Sequence, residues 1–137
     1  MSIDLERAKE ILAQSDATCV ICKGDVVYQS TQRGVAPLIA WLDSQTDMMG
    51  FSAADKVVGR CAAFMYRLLG VRSVYGKVMS VEAVKVLRAG GVEASWGTLT
   101  ETILNRQKTG VCPMELATRN IEDPENALYL MRSNLPK

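Results

Sequence analysis

The sequence predicts an α/β domain in which a mixed central sheet, an antiparallel hairpin continued by parallel strands, is flanked by helices. Three observations predict it. Residues 18–23 and 26–30 are two β-rich runs separated by Gly24-Asp25, a pair suited to a tight hairpin turn. Residues 71–79, 80–89 and 92–96 read as strand, helix and strand, with Ser80 to cap the helix and Gly90-Gly91 to close it. Between these regions Val57, Val58, Cys61, Ala62, Met65, Leu68 and Leu69 recur at steps of one, three and four residues, the pattern of an amphipathic helix.

Taken in order, Ser2 caps a first helix running to about Gln14, with Ile3, Ala8, Ile11 and Leu12 near one face. The hairpin follows. After a loop over 31–36, Pro37 occupies the first turn of a short helix through Asp43. A polar stretch over 44–47 leads to a short strand over 48–52. The next helix starts near Asp55 and stops at Gly70. The strand-helix-strand unit implies parallel strands and a right-handed crossover, so its helix covers one face of the sheet. Thr98 and Glu101 have the spacing of a capping box for a helix toward Arg106. A loop over 107–111 and Cys112-Pro113-Met114-Glu115 come next, and Asp123-Pro124 opens a final helix ending near Arg132.

A length of 137 residues, 48% apolar and 23% charged, suits one folded domain, and no repeat or linker divides it. The formal net charge of +1 argues against broad electrostatic capture of nucleic acid or an anionic membrane. No apolar run reaches the roughly 18 residues that a membrane span needs, and the acidic start of the chain is unlike a signal peptide, which predicts a cytoplasmic address. Cys19, Cys22, Cys61 and Cys112 lie in apolar contexts or beside proline and are expected as reduced thiols.

Three clusters, Ala54-Asp55-Lys56-Val57-Val58-Gly59-Arg60, Val74-Tyr75-Gly76-Lys77-Val78-Met79-Ser80, and Asn105-Arg106 through Gly110-Val111-Cys112-Pro113-Met114-Glu115, together carry a family likeness. In pattern and spacing, over nearly the whole chain, they resemble a bacterial domain-of-unknown-function family of the cytidine deaminase-like superfamily. That resemblance implies a cytidine deaminase-like fold. Deaminases of that superfamily place a zinc-binding His or Cys and a proton-shuttling Glu at one helix start and two cysteines at the next. The positions matching by element order are Asp55-Lys56 and Ser80-Val81-Glu82, the chain has no histidine, and no Pro-Cys-x-x-Cys string occurs. A zinc ligand set is therefore not recognisable, and no cofactor is expected. Cys19 and Cys22 have Cys-x-x-Cys spacing, but a strand sends residues three apart to opposite faces.

Ligands of parallel α/β sheets collect at the carboxyl ends of strands. That rule nominates Asp55, Lys56, Arg60, Ser80, Asn105, Arg106 and Glu115 as contacts for a small anionic or nucleotide-like molecule. Capping alone also accounts for Asp55 and Ser80, and a solvated helix face for the stripe Lys56, Arg60, Arg67. Lys56 in a first helical turn would oppose the helix dipole, which points to an anionic partner. Asn105, Arg106 and Lys108 beside Gly110 gather several donors, a pattern a helix C-terminus would show as well. An alternative reading is an enzyme using Cys112 as nucleophile or Lys56 in acid-base or imine chemistry, although no histidine can serve the thiol as base. Tyr75 and Trp96 could stack on a ring or belong to the core. A third reading is a homodimeric interaction module.

Overall fold

The computed structural model describes residues 3–32, 34–101 and 121–134. In chain order it contains α1 (Ile3–Gln14), β1 (Cys19–Lys23), β2 (Val26–Ser30), α2 (Ala36–Asp43), β3 (Ser52–Val58), α3 (Arg60–Leu69), β4 (Ser73–Ser80), α4 (Val81–Ala89), β5 (Glu93–Thr100) and α5 (Pro124–Asn134). The five strands form one sheet in the order β2-β1-β3-β4-β5. β1 pairs antiparallel with β2 and with β3, while β3-β4 and β4-β5 are parallel.

The two faces of the sheet carry separate cores. On one face α1 buries Ala8 and Leu12 against Val20, Cys22 and Ala54, with Tyr75 at the margin. Asp4 fixes this helix to the hairpin, since its carboxylate accepts from the Gly24 N–H at 3.0 Å and its carbonyl from the Cys22 thiol at 3.0 Å. On the other face α2, α3, α4 and α5 enclose a larger core including Ile21, Ala53, Val58, Phe64, Met65, Val74, Met79, Leu87 and Ala127. α3 lies deepest, with Cys61, Ala62, Ala63, Phe64, Met65 and Tyr66 all buried, as a helix packed on several sides must be.

Val58 and Met79 expose a local irregularity. Each sits five residues beyond a residue of the same core, Ala53 and Val74, although strict alternation would turn residues an odd number apart to opposite faces. Both strands therefore break alternation once, at the same level of the sheet. Gly76 makes room for it: a Cβ there would stand 3.0 Å from Val58 and 3.2 Å from Met79.

Three expectations are corrected. The helix anticipated near Asp55 begins at Arg60; Asp55, Lys56, Val57 and Val58 belong to β3, whose small and β-branched residues pair on both sides, with β1 and β4. The short strand expected over 48–52 is accordingly displaced to Ser52–Val58. The capping box is also absent, because Thr98 and Thr100 pair with Val78 and Ser80 in an extended β5. The rest of that expected helix, toward Arg106, falls outside the described residues. The hairpin, α2, α4 and α5 lie within a residue or two of their predicted bounds. Among the described residues, no helix is long and apolar enough to cross a membrane.

Candidate functional site

The residues expected to converge at the carboxyl ends of the strands divide between the interior and the surface. Asp55, Arg60 and Ser80 are buried and occupied by the protein's own groups. Lys56, next in sequence to Asp55, is exposed. Asn105, Arg106, Cys112 and Glu115 lie outside the described residues.

Asp55 projects into the layer between β3 and α3. Its carboxylate accepts from the Tyr66 hydroxyl at 2.6 Å and from the Val57 N–H at 3.3 Å. Burial raises its pKa to about 7, against the lowering effect of the Tyr66 bond and of backbone N–H groups. Burial, followed by the Asp55 charge, also pushes the phenol of Tyr66 well above its ordinary value. The thiol of Cys19, opposite Asp55 on β1, is raised for the same two reasons. These groups form an internal polar island rather than a helix cap.

Arg60 occupies the first turn of α3. Its Nη1 donates to Glu82 Oε2 at 3.1 Å, its Nη2 donates to the Ile121 carbonyl, and its guanidinium lies 5.1 Å from the centre of the Phe64 ring. The anticipated stripe of Lys56, Arg60 and Arg67 on one helix is thus not formed; Lys56 is on a strand and Arg60 is turned inward. Ser80 does cap α4, accepting from the Ala83 N–H at 3.0 Å. Ser80→Ala should lower stability by about 1 kcal/mol, read as a lower urea midpoint with an unchanged slope. A midpoint equal to wild type would contradict the cap.

At the exposed surface the situation is reversed. Ala54 and Tyr75 belong to the α1-side core, and Lys56 and Lys77 follow two residues further along β3 and β4, at the level where both strands break alternation. The register pairs Asp55 with Gly76 and Val57 with Val78, which sets Lys56 beside Lys77 on neighbouring strands. Both are exposed, and neither makes an ion pair among the described residues. Like charges at adjacent cross-strand positions repel each other. A third ammonium, on Lys9 of α1, lies 4.5 Å from the centre of the Tyr75 ring and 3.7 Å from Glu6 Oε1. Tyr75 leans along the strand toward the carboxyl edge: its hydroxyl lies where a side chain on Gly97 would project, 3.0 Å from the position of a Cβ.

Lys77, Lys9 and Gly97 are the site residues that sequence reasoning missed. Their signal was present in the β-rich composition around Lys56 and Lys77, but it is visible only once both segments are read as adjacent parallel strands. Among the described residues, no group of three or more His, Cys, Asp or Glu side chains is placed to hold a metal ion. Cys22 joins the α1-side core while Cys19 faces the Asp55 side, so their spacing brings no common ligand set. An open cleft lined by Arg88, Gly91, Val92, Glu93 and Ala94 lies at the opposite, amino end of β5 and contains none of the expected contact residues.

A family model described as TM1506, domain of unknown function (DUF1893), matches residues 7–135. The crystal structure of a DUF1893 family protein (TM1506) from Thermotoga maritima superposes with a TM-score of 0.89 at 23% identity, covering 98% of this chain and 92% of that one. A dCMP deaminase from the cyanophage S-TIM5, in apo form, gives a TM-score of 0.45 at 15% identity over 68% of this chain and 93% of that one. No curated protein matches the sequence.

Proposed function

The chain belongs to the DUF1893 family, and from that premise and its own surface we propose that it binds a small anionic, nucleotide-like ligand at the carboxyl edge of its parallel strands. One observation carries the reading: Lys56 stands exposed beside Lys77 with no carboxylate partner among the described residues. A repulsive pair of ammonium groups is relieved by an anion between them. The residues first grouped with Lys56 support it differently. Asp55, Arg60 and Ser80 hold β3, α3 and α4 in place and are spent on internal partners. The reading uses no metal, since ammonium groups recognise an anion directly and the chain offers no histidine.

Thermal shift against nucleotides, nucleosides and phosphorylated metabolites at low salt tests it. A ligand present at about 100 times its Kd stabilises the native state by about 2.7 kcal/mol. Nucleotides should raise the melting temperature of the wild type, the corresponding uncharged nucleosides should not, and Lys56→Ala should abolish most of the rise. Absence of a shift with every anion, or an undiminished shift in Lys56→Ala, would overturn the reading.

A further inference from the structure

We propose that Asp55, Tyr66 and Cys19 form a proton-dependent latch at the start of β1: with the Asp55 proton in place the strand end is closed, and loss of that proton opens it and uncovers the Cys19 thiol. The inference is independent of the anion-binding reading. Three elements bring these groups together. Cys19 on β1 is the register partner of Asp55 on β3, and α3 places the Tyr66 hydroxyl 2.6 Å from Asp55 Oδ2. All three residues are buried. Each titratable group of the cluster is an acid. On its other side Asp55 pairs with Gly76 of β4, which brings no charge, and among the described residues no ammonium or guanidinium compensates the carboxyl. The cluster is therefore neutral while Asp55 is protonated and holds one buried, uncompensated charge once it ionises, a state that favours any opening that admits water.

The start of β1 is where that opening is cheapest. Tyr66 belongs to the larger core, and Asp55 sits in a strand paired on both sides. Cys19, by contrast, is the first residue of its strand. Ahead of it the chain is held by the Lys56 N–H, which donates to the Thr18 carbonyl at 3.0 Å, and by the Thr18 N–H and hydroxyl, which donate to the Ser30 carbonyl at 2.7 and 3.0 Å. Element ends part at lower free energy than core segments. Breaking these few bonds lets water reach the carboxylate past Cys19 while α3 stays packed. In the closed form burial and the Asp55 charge push the Cys19 thiol up, which keeps it inert. The carboxyl titrates at about 7 when closed and near its ordinary 3.8 when water reaches it. The opening constant should therefore rise about tenfold per pH unit between those values and level off above the upper one.

The test is amide hydrogen exchange of the intact protein by NMR between pH 5 and 8, corrected for the pH dependence of free-chain exchange. The Thr18 and Lys56 amides should open more readily than those of Met65 in α3 and Val74 in β4. Their opening should follow the pH dependence above in the wild type and stay flat in Asp55→Asn. At pH 8, where the intrinsic ionisation of a thiol is the same for both proteins, iodoacetamide should modify Cys19 about tenfold faster or more in the wild type than in Asp55→Asn, read by peptide mass to separate it from the other cysteines. Tyr66→Phe keeps the ring and removes the donor to the carboxylate, so its opening should level off at a higher pH. Opening of Thr18 and Lys56 that ignores pH, or that Met65 and Val74 share equally, would overturn the latch, as would equal modification of Cys19 in the two proteins. An unchanged levelling-off in Tyr66→Phe would remove Tyr66 from it.

Discussion

The protein should lose stability as pH rises from 5 to 8, and Asp55 should be the cause. Its carboxyl titrates near 3.8 in an unfolded chain and at about 7 when folded, because burial penalises the charge more than Tyr66 and the backbone N–H groups favour it. At pH 5 the folded protein holds this proton while most unfolded chains have released it. Raising the pH through the interval between the two values therefore strips the folded state of a preference it had, and above pH 7 both states are ionised and the loss is complete. A displacement of that size corresponds to at most about 4 kcal/mol, of which about 2–3 kcal/mol falls between pH 5 and 8. Asp55→Asn cannot ionise, so its unfolding free energy should change far less over the same range, whatever its absolute value. Urea unfolding of both proteins at pH 5, 6, 7 and 8 gives the comparison. Parallel curves for the two would show that Asp55 carries no such linkage.

The second large effect is expected at Arg60. Its guanidinium ties together the start of α3, Glu82 in the first turn of α4 and the carbonyl of Ile121 ahead of α5, while resting on Phe64. Removing it leaves that carbonyl without its charged donor and opens a gap over Phe64. Glu82 is half-exposed and can turn to water, so the ion pair itself contributes little. The lost packing and the hydrogen bond to the carbonyl together suggest about 2–3 kcal/mol for Arg60→Ala. Arg60→Met keeps most of the stem and should recover part of that loss. α5 packs against α3, so limited proteolysis should cut the Arg60→Ala protein ahead of α5 sooner than the wild type. Equal cleavage rates would mean that Arg60 does not secure the C-terminal helix.

Much of the fold was legible because its signals are local. The Gly24-Asp25 turn, Pro37 in the first turn of α2, Ser80 at the start of α4 and Pro124 at the start of α5 each constrain the backbone within a few residues. β3 was not legible. Val57 and Val58 continue, in sequence, the apolar rhythm of the helix that follows, and only pairing with β1 and β4 draws them into a strand. That one misreading controlled the site. On a helix start Asp55 and Lys56 share one end of an element; on the strand Asp55 turns into the interior and Lys56 into solvent. For the same reason Lys77 could not be matched with Lys56 until the register of β3 on β4 was known. Thr98 and Glu101 failed in the opposite sense: a valid capping spacing was overridden by a sheet that continued through Thr100.

The coincident break in β3 and β4 bears on how the chain tolerates changes of length. Val58 and Met79 return to the core only because each strand spends one extra residue at the same level, with Gly76 admitting both side chains. Deleting a single residue between Asp55 and Val58 would straighten β3 while β4 stayed kinked, and the two would no longer match rung for rung. Everything downstream, including the entry of Arg60 into α3, would be turned or shifted. Length variation along these two strands is therefore admissible only in step, as a matched change in both.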